Sequence, residues 1–177
     1  QGGPANHALW KRFDEACNQA HKIVEAWLDK LKAETAANRA QRLALIKELE
    51  DWAQQHAGNT DWKLHVRELH RWADAWRNGG HLGEKQFAEL QPLWKAAMAI
   101  ARAPLEAAQA DNQAQRQVLI ARAEELGATE PLRMDAVRAL QHEWQVLAQA
   151  VPLERKLEQR LWDAFRKPID EAFQRKD

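Results

Sequence analysis

The sequence predicts an all-α fold: an elongated helical repeat built from long/short antiparallel helix hairpins. Three observations predict it. The chain has only 7 Gly in 177 residues, and it is rich in Ala, Leu, Gln, Glu, Lys and Arg, which favour helix. Val, Ile and Thr, the residues that favour strands, are few. Apolar residues recur at steps of three and four over long stretches, the period of a helix face. Finally, the chain repeats itself. Leu9-Trp10, Leu93-Trp94 and Leu161-Trp162 begin about 84 and then about 68 residues apart, in or near the range that marks stacked units.

Two further blocks recur in the same order. Asn38 to Ile46 matches Asn112 to Ile120 through Asn-x-Ala-Gln-Arg, and Trp76 corresponds to Trp144. Three coincidences in one order define a unit of Leu-Trp, then Asn-x-Ala-Gln-Arg, then Trp. The division expected is residues 1–8 as lead-in, 9–92 as repeat 1, 93–160 as repeat 2 and 161–177 as the shortened start of repeat 3. Gln1-Gly2 matches what tobacco etch virus protease leaves behind, so the lead-in is read as partly artificial. The third copy holds only its Leu-Trp part, which suggests a chain continuing past Asp177.

The elements follow in order. Residues 5–57 contain no Gly or Pro. Trp10, Phe13, Cys17, Ala20, Val24, Trp27 and Leu31 alternate steps of three and four, the seam of a helix packed along its length on another. The seam weakens from Lys32 to Gln41 and resumes at Leu45, Leu49, Trp52 and His56. One very long helix, or two meeting near Thr35 to Asn38, would fit. Gly58 suits a C-cap, and Thr60 or Asp61 the next N-cap. A short helix is expected over Trp62 to Arg77, then a turn at Asn78 to Gly83. The next helix should start near Glu84 and stop at Gly127, bent or interrupted at Pro92 and Pro104. Another should begin at Thr129-Glu130-Pro131, with Pro in the first turn. The last covers Leu157 to Phe173, with a kink at Pro168.

Charge and composition exclude several classes. Lys plus Arg total 26 and Asp plus Glu total 26, so no global field attracts nucleic acid or an anionic surface. No apolar run approaches the roughly 20 residues of a membrane span. The single cysteine excludes an internal disulfide and fits a reducing cytoplasm.

The repeated pieces resemble the DUF349 family of bacterial helical repeats, a domain of unknown function. The resemblance rests on Leu-Trp-x-x-Phe at Leu161 to Phe165 and Leu9 to Phe13, and on Asn-x-x-x-Arg-x-x-Leu-Ile at Asn38 and Asn112. Leu-Gln-x-Glu-Trp at Leu140 to Trp144, followed by Val151-Pro152, is the third piece. It covers nearly the whole chain. The first unit departs, with Ala75-Trp76 for Glu-Trp and Gly83-Glu84 for Val-Pro, and the middle unit has Ala97 where the Phe stands. The resemblance implies a bacterial, cytoplasmic helical repeat and carries over no catalytic residue or cofactor.

Candidate chemistry is sparse. Trp10, Trp94, Trp162, Trp76 and Trp144 hold repeated positions on the apolar seam and are expected to fill recurring core pockets. The unrepeated Trp27, Trp52, Trp62 and Trp72 are the better candidates for an exposed or interface role. His56, His65, His70 and His81 lack the three- or four-residue spacing of a helical zinc site, so structural or solvent roles are expected. Cys17, on the seam, reads as a buried inert thiol. Asn38 and Asn112 are expected to fix register between packed helices. Gly79-Gly80-x-x-Gly83 has neither the Lys-Ser/Thr nor the strand of a phosphate loop.

The reading is a non-enzymatic interaction module with an unidentified protein partner, no cofactor, no metal and no membrane. The alternative is an RNA-binding or ribosome-associated protein, in which Arg42, Arg116, Arg155, Arg160 and Arg166 line up along the arms and track phosphates. These five arginines are the candidate partner-binding residues.

Overall fold

The computed structural model describes Pro4–Lys176. The cleavage-site reading of Gln1-Gly2 falls outside those residues. Five helices follow one another: α1 Pro4–Gln55, α2 Trp62–Arg77, α3 Glu84–Ala128, α4 Met134–Ala150 and α5 Arg155–Lys176. No strand occurs among the described residues. Long arms of 52 and 45 residues alternate with short helices of 16 and 17. The all-α repeat of long and short helices is therefore the fold observed.

The arms are less interrupted than their sequences suggest. α1 runs unbroken through Lys32 to Gln41, because the Ala and polar residues there are good helix formers even where they bury little. α3 passes through both Pro92 and Pro104 without a break. Each proline frees the carbonyl four residues earlier. Those residues, Ala88 and Ile100, are exposed, and so is Ala164 before Pro168 in α5. Water can satisfy the freed groups, so the helices continue.

Capping refines the ends. Asp61 caps α2, its Oδ1 accepting the Leu64 N–H at 3.1 Å. Gly58 does not act as a left-handed cap, since no described glycine has positive φ. α4 begins at Met134, three residues later than a Pro131 first turn would allow. Leu132 packs on the core from the intervening loop and holds that segment out of the helix.

The chain forms two compact units that cut across the sequence repeats. One comprises Gln1–Glu48 and Ala75–Lys95, the other Leu49–Asp74 and Ala96–Asp177. In the first, Trp76 of α2 stacks on Trp94 of α3 with centroids 4.7 Å apart and planes within 7°. Ile46, Leu82 and Leu90 are buried in the same unit. In the second, Leu119, Ile120 and Ala123 of α3 meet Val137, Leu140 and Trp144 of α4 and Leu161, Phe165 and Ile169 of α5 in one core. There α4 runs antiparallel to α3: Arg122 reaches Glu143, Asn112 reaches Leu147 and Gln109 reaches Pro152. α5 comes close to α3 at Gly127, where an added Cβ would lie 2.7 Å from the Pro168 carbonyl oxygen.

The N-terminal part of α1 has a different character. Every residue from Asn6 to Glu34 is exposed. Trp10 is 65% and Trp27 59% exposed, so Trp10 fills no core pocket. Cys17 is exposed as well, which corrects its reading as a buried thiol. Both expectations assumed a second helix over the seam, and the described residues place none there. Trp162 is also exposed at one edge, although its ring lies 6.2 Å from Trp144. Trp76, Trp94 and Trp144 are buried as expected.

Candidate functional site

The candidate partner-binding arginines separate into two groups. Arg42 and Arg116 are buried, with Arg116 fully enclosed. They cannot track phosphates along an outer face, which corrects that part of the sequence reading. Its cause lies in the position four residues after each Asn, which points the side chain at the short helix and not at solvent.

Each arginine belongs to a node that recurs with the repeat. In the first unit, Asn38 Nδ2 donates to the His81 carbonyl at 2.9 Å and Arg42 Nη2 to the Gly80 carbonyl at 3.1 Å. The Arg42 guanidinium lies 4.7 Å above the Trp76 ring. In the second unit, Asn112 Nδ2 donates to the Leu147 carbonyl at 2.8 Å and the Arg116 guanidinium lies 4.7 Å above Trp144. Trp144 in turn stacks on Phe165, with centroids 4.3 Å apart. Each node is thus a guanidinium on a Trp that rests on the aromatic ring of the next Leu-Trp segment. Cation–π attraction contributes on the order of 0.5–2 kcal/mol in such a place. The Asn bonds fix the arm against the turn after α2 in one unit and the last turn of α4 in the other, the register role expected of them.

The two nodes differ in their counter-charge. Arg116 Nη1 donates to Glu158 Oε2 at 2.7 Å. Three residues before Leu161, Glu158 corresponds to Leu90 before Leu93, and Leu90 is fully buried. Arg42 accordingly meets a backbone carbonyl in place of a carboxylate, while two nitrogens of each guanidinium, Nε and Nη1 of Arg42 and Nε and Nη2 of Arg116, have no hydrogen-bond partner. Burial pushes the pKa of Arg42 down. Space for it comes from glycine: a Cβ on Gly79 would fall 2.0 Å from Arg42 Nε, and one on Gly80 2.1 Å from Asn38 Oδ1. The second node has no such glycines: counted from Trp144 as from Trp76, Leu147 and Ala148 stand there, inside α4. Sequence reasoning missed Glu158, although comparing the positions upstream of each Leu-Trp pair would have singled it out.

Arg155, Arg160 and Arg166 are exposed on α5, but they do not form a stripe. At about 3.6 residues per turn, Arg155 and Arg166 share a side while Arg160 lies roughly 140° away. Acidic residues interrupt them, with Asp163 3.5 Å from Arg166 Nε. No group of His, Cys, Asp and Glu among the described residues could hold a metal, and no described helix is long and apolar enough to cross a membrane. His65 is buried with its Nε2 2.9 Å from the Asn59 carbonyl oxygen, between Trp52 and Trp62. Those two tryptophans close a turn and are half-buried. A groove of about 520 Å³ beside Gly127, Glu130, Pro131 and Arg175 offers no convergent set of acids, bases or nucleophiles.

The remaining surface feature is the seam of α1. Leu9, Trp10, Phe13, Ile23, Val24 and Trp27 are all more than half exposed on one helix. Elsewhere, Leu-Trp segments receive the Trp of a preceding short helix, as Trp94 and Phe165 do. The first copy does not.

The profile of the Domain of Unknown Function (DUF349) family matches the chain twice, over residues 8–85 and 83–153. The chain belongs to the DUF349 family. The two DUF349 segments meet at the start of α3, and each contains one Asn–Arg–Trp node, so the node is an internal landmark of this DUF349 chain. No curated protein and no solved structure matches it.

Proposed function

We propose that this chain is a non-enzymatic protein-interaction module whose docking surface is the apolar seam of α1. The observation that carries the reading is the exposure of Trp10, Phe13 and Trp27 together on one face of an unbroken helix. Contiguous apolar patches of this kind mark interaction surfaces, and aromatic anchors dominate such contacts. The nodes at Arg42 and Arg116 stiffen the scaffold that carries the arm. The phosphate-tracking alternative retains only Arg155, Arg160 and Arg166, set among carboxylates.

The test compares the chain with its Trp27→Glu variant in capture from a cell lysate, with and without ribonuclease and across a salt series. The expected result is a discrete protein, including the chain itself, held regardless of ribonuclease and released by the substitution. Phosphate-dependent capture weakens steeply with salt, whereas apolar docking does not. Recovery of RNA that survives Trp27→Glu and vanishes with ribonuclease would overturn the reading.

A further inference from the structure

We infer that the partner seated on the α1 seam is a second copy of this chain, paired antiparallel with its own α1. The inference rests on the reading of α1 as the interaction surface and goes on to name the occupant.

The spacing is that of a coiled coil. Trp10, Cys17, Val24 and Leu31 fall every seven residues, and Phe13, Ala20 and Trp27 fall three after the first three of them. These are the two core positions of a heptad, held over three heptads. The side chains on the far side, among them Lys11, Glu15, Lys22, Glu25 and Asp29, are charged. A seam of this length suits another long helix. It does not suit the short helix that covers the other Leu-Trp segments. From Leu-Trp to Asn the first arm runs about 29 residues against about 19 in the second, an extra 15 Å or so. A short helix like α2 or α4 would leave that extension bare.

Direction follows from two facts. The heptad continues to Asn38, and Asn38 is engaged by the His81 carbonyl while Arg42 lies on Trp76. This side of α1 is therefore filled by the chain's own residues 75–95. A parallel, in-register second helix would need the same space at 38–45 and would collide with them. In an antiparallel pair the two covered stretches lie at opposite ends, so residues 75–95 of one copy do not meet those of the other. The order Trp, Phe, Cys, Ala, Val, Trp also reads nearly alike from either end. Antiparallel pairing about the midpoint sets Trp10 on Trp27 of the second copy, Phe13 on Val24 and Cys17 on Ala20. Large meets large and small meets small, and a shift of one heptad would set Trp against Ala.

The flanks and the area agree. In this register Asp14 faces His21 of the second copy, and the Lys30 stem covers Leu9, so no like charges oppose. Trp10, Phe13 and Trp27, each more than half exposed, can bury up to about 150–250 Å² apiece, and with Leu9, Ile23, Val24, Leu28 and Leu31 the seam is of the order of the about 800 Å² per partner of a stable interface.

The test begins with sedimentation equilibrium of the intact chain at micromolar concentrations. A species of twice the 20.4 kDa chain mass is expected. Val24→Glu should weaken association at least about tenfold, while Lys22→Glu, on the outer side, should leave it unchanged. Direction is read by oxidation in a Cys17→Ala background. Asp14→Cys mixed with His21→Cys should give a disulfide-linked dimer that neither variant gives alone. A monomer at all concentrations, a dimer that survives Val24→Glu, or no cross-link in the mixture overturns the inference. If the chain is monomeric yet still captures another protein through Trp27, the surface stands and only its occupant is wrong. If neither Val24→Glu nor Trp27→Glu changes anything, both fall.

Discussion

At the scale of single residues, the two nodes form a natural experiment in burying a guanidinium. Both arginines sit 4.7 Å over a tryptophan, but only Arg116 has a carboxylate. Each carries two unpartnered nitrogens, but without a counter-charge the desolvation of Arg42 is the less well offset. Arg42→Met is expected to leave stability within about 1 kcal/mol of the parent or to raise it. Arg116→Met should cost about 1–2 kcal/mol, the low end for a charged hydrogen bond because Glu158 keeps solvent contact. Urea unfolding of the two variants checks this, and an equal loss in both would show that the carboxylate is irrelevant. The nodes were half legible. The recurrence of Asn and Arg was plain in the sequence, but whether Arg42 faces a phosphate or a tryptophan depends on which helix returns beside it. Spacing on one helix does not carry that information.

At the scale of elements, sequence patterns located helices better than their ends. α2 matches its expected bounds of Trp62 and Arg77, because Asp61 caps it and Asn78-Gly79 ends it. α3 is not interrupted at Pro92 or Pro104, since the cost of an interior proline depends on whether water reaches the freed carbonyl. Burial of the residue four positions earlier is not visible in composition. Gly127 shows the same dependence on context. It reads as a stop signal, and α3 does end beside it, at Ala128, but the residue also serves the close approach of Pro168. Gly127→Ala should destabilise by about 1–3 kcal/mol through overpacking, despite the better helix propensity of Ala. Gly58→Ala, with nothing within 4 Å of the added Cβ, should be neutral or stabilising by up to about 1 kcal/mol. Thermal melts of the pair separate packing from propensity, and a stabilised Gly127→Ala would mean that α3 and α5 can move apart without loss.

At the scale of the whole molecule, the same heptad signal has two outcomes in one helix. Around Leu45 and Leu49 the seam is covered within the chain, whereas from Asn6 to Glu34 nothing described covers it. Periodicity reports that a helix has a face to bury but not what buries it, which is why Trp10 and Cys17 read as core. The difference has a dynamic consequence. A helical segment without tertiary contacts is marginal in water, so the amides of residues 9–31 should exchange far faster than those of Leu119 to Ala123, which lie in a three-helix core. Pairing through the seam makes that contrast depend on concentration, because association stabilises only the segment it buries. Hydrogen exchange measured over a concentration series should show protection rising in residues 9–31 while residues 119–123 stay constant. Protection of 9–31 that is already high in dilute solution and does not change would require a cover from within the chain.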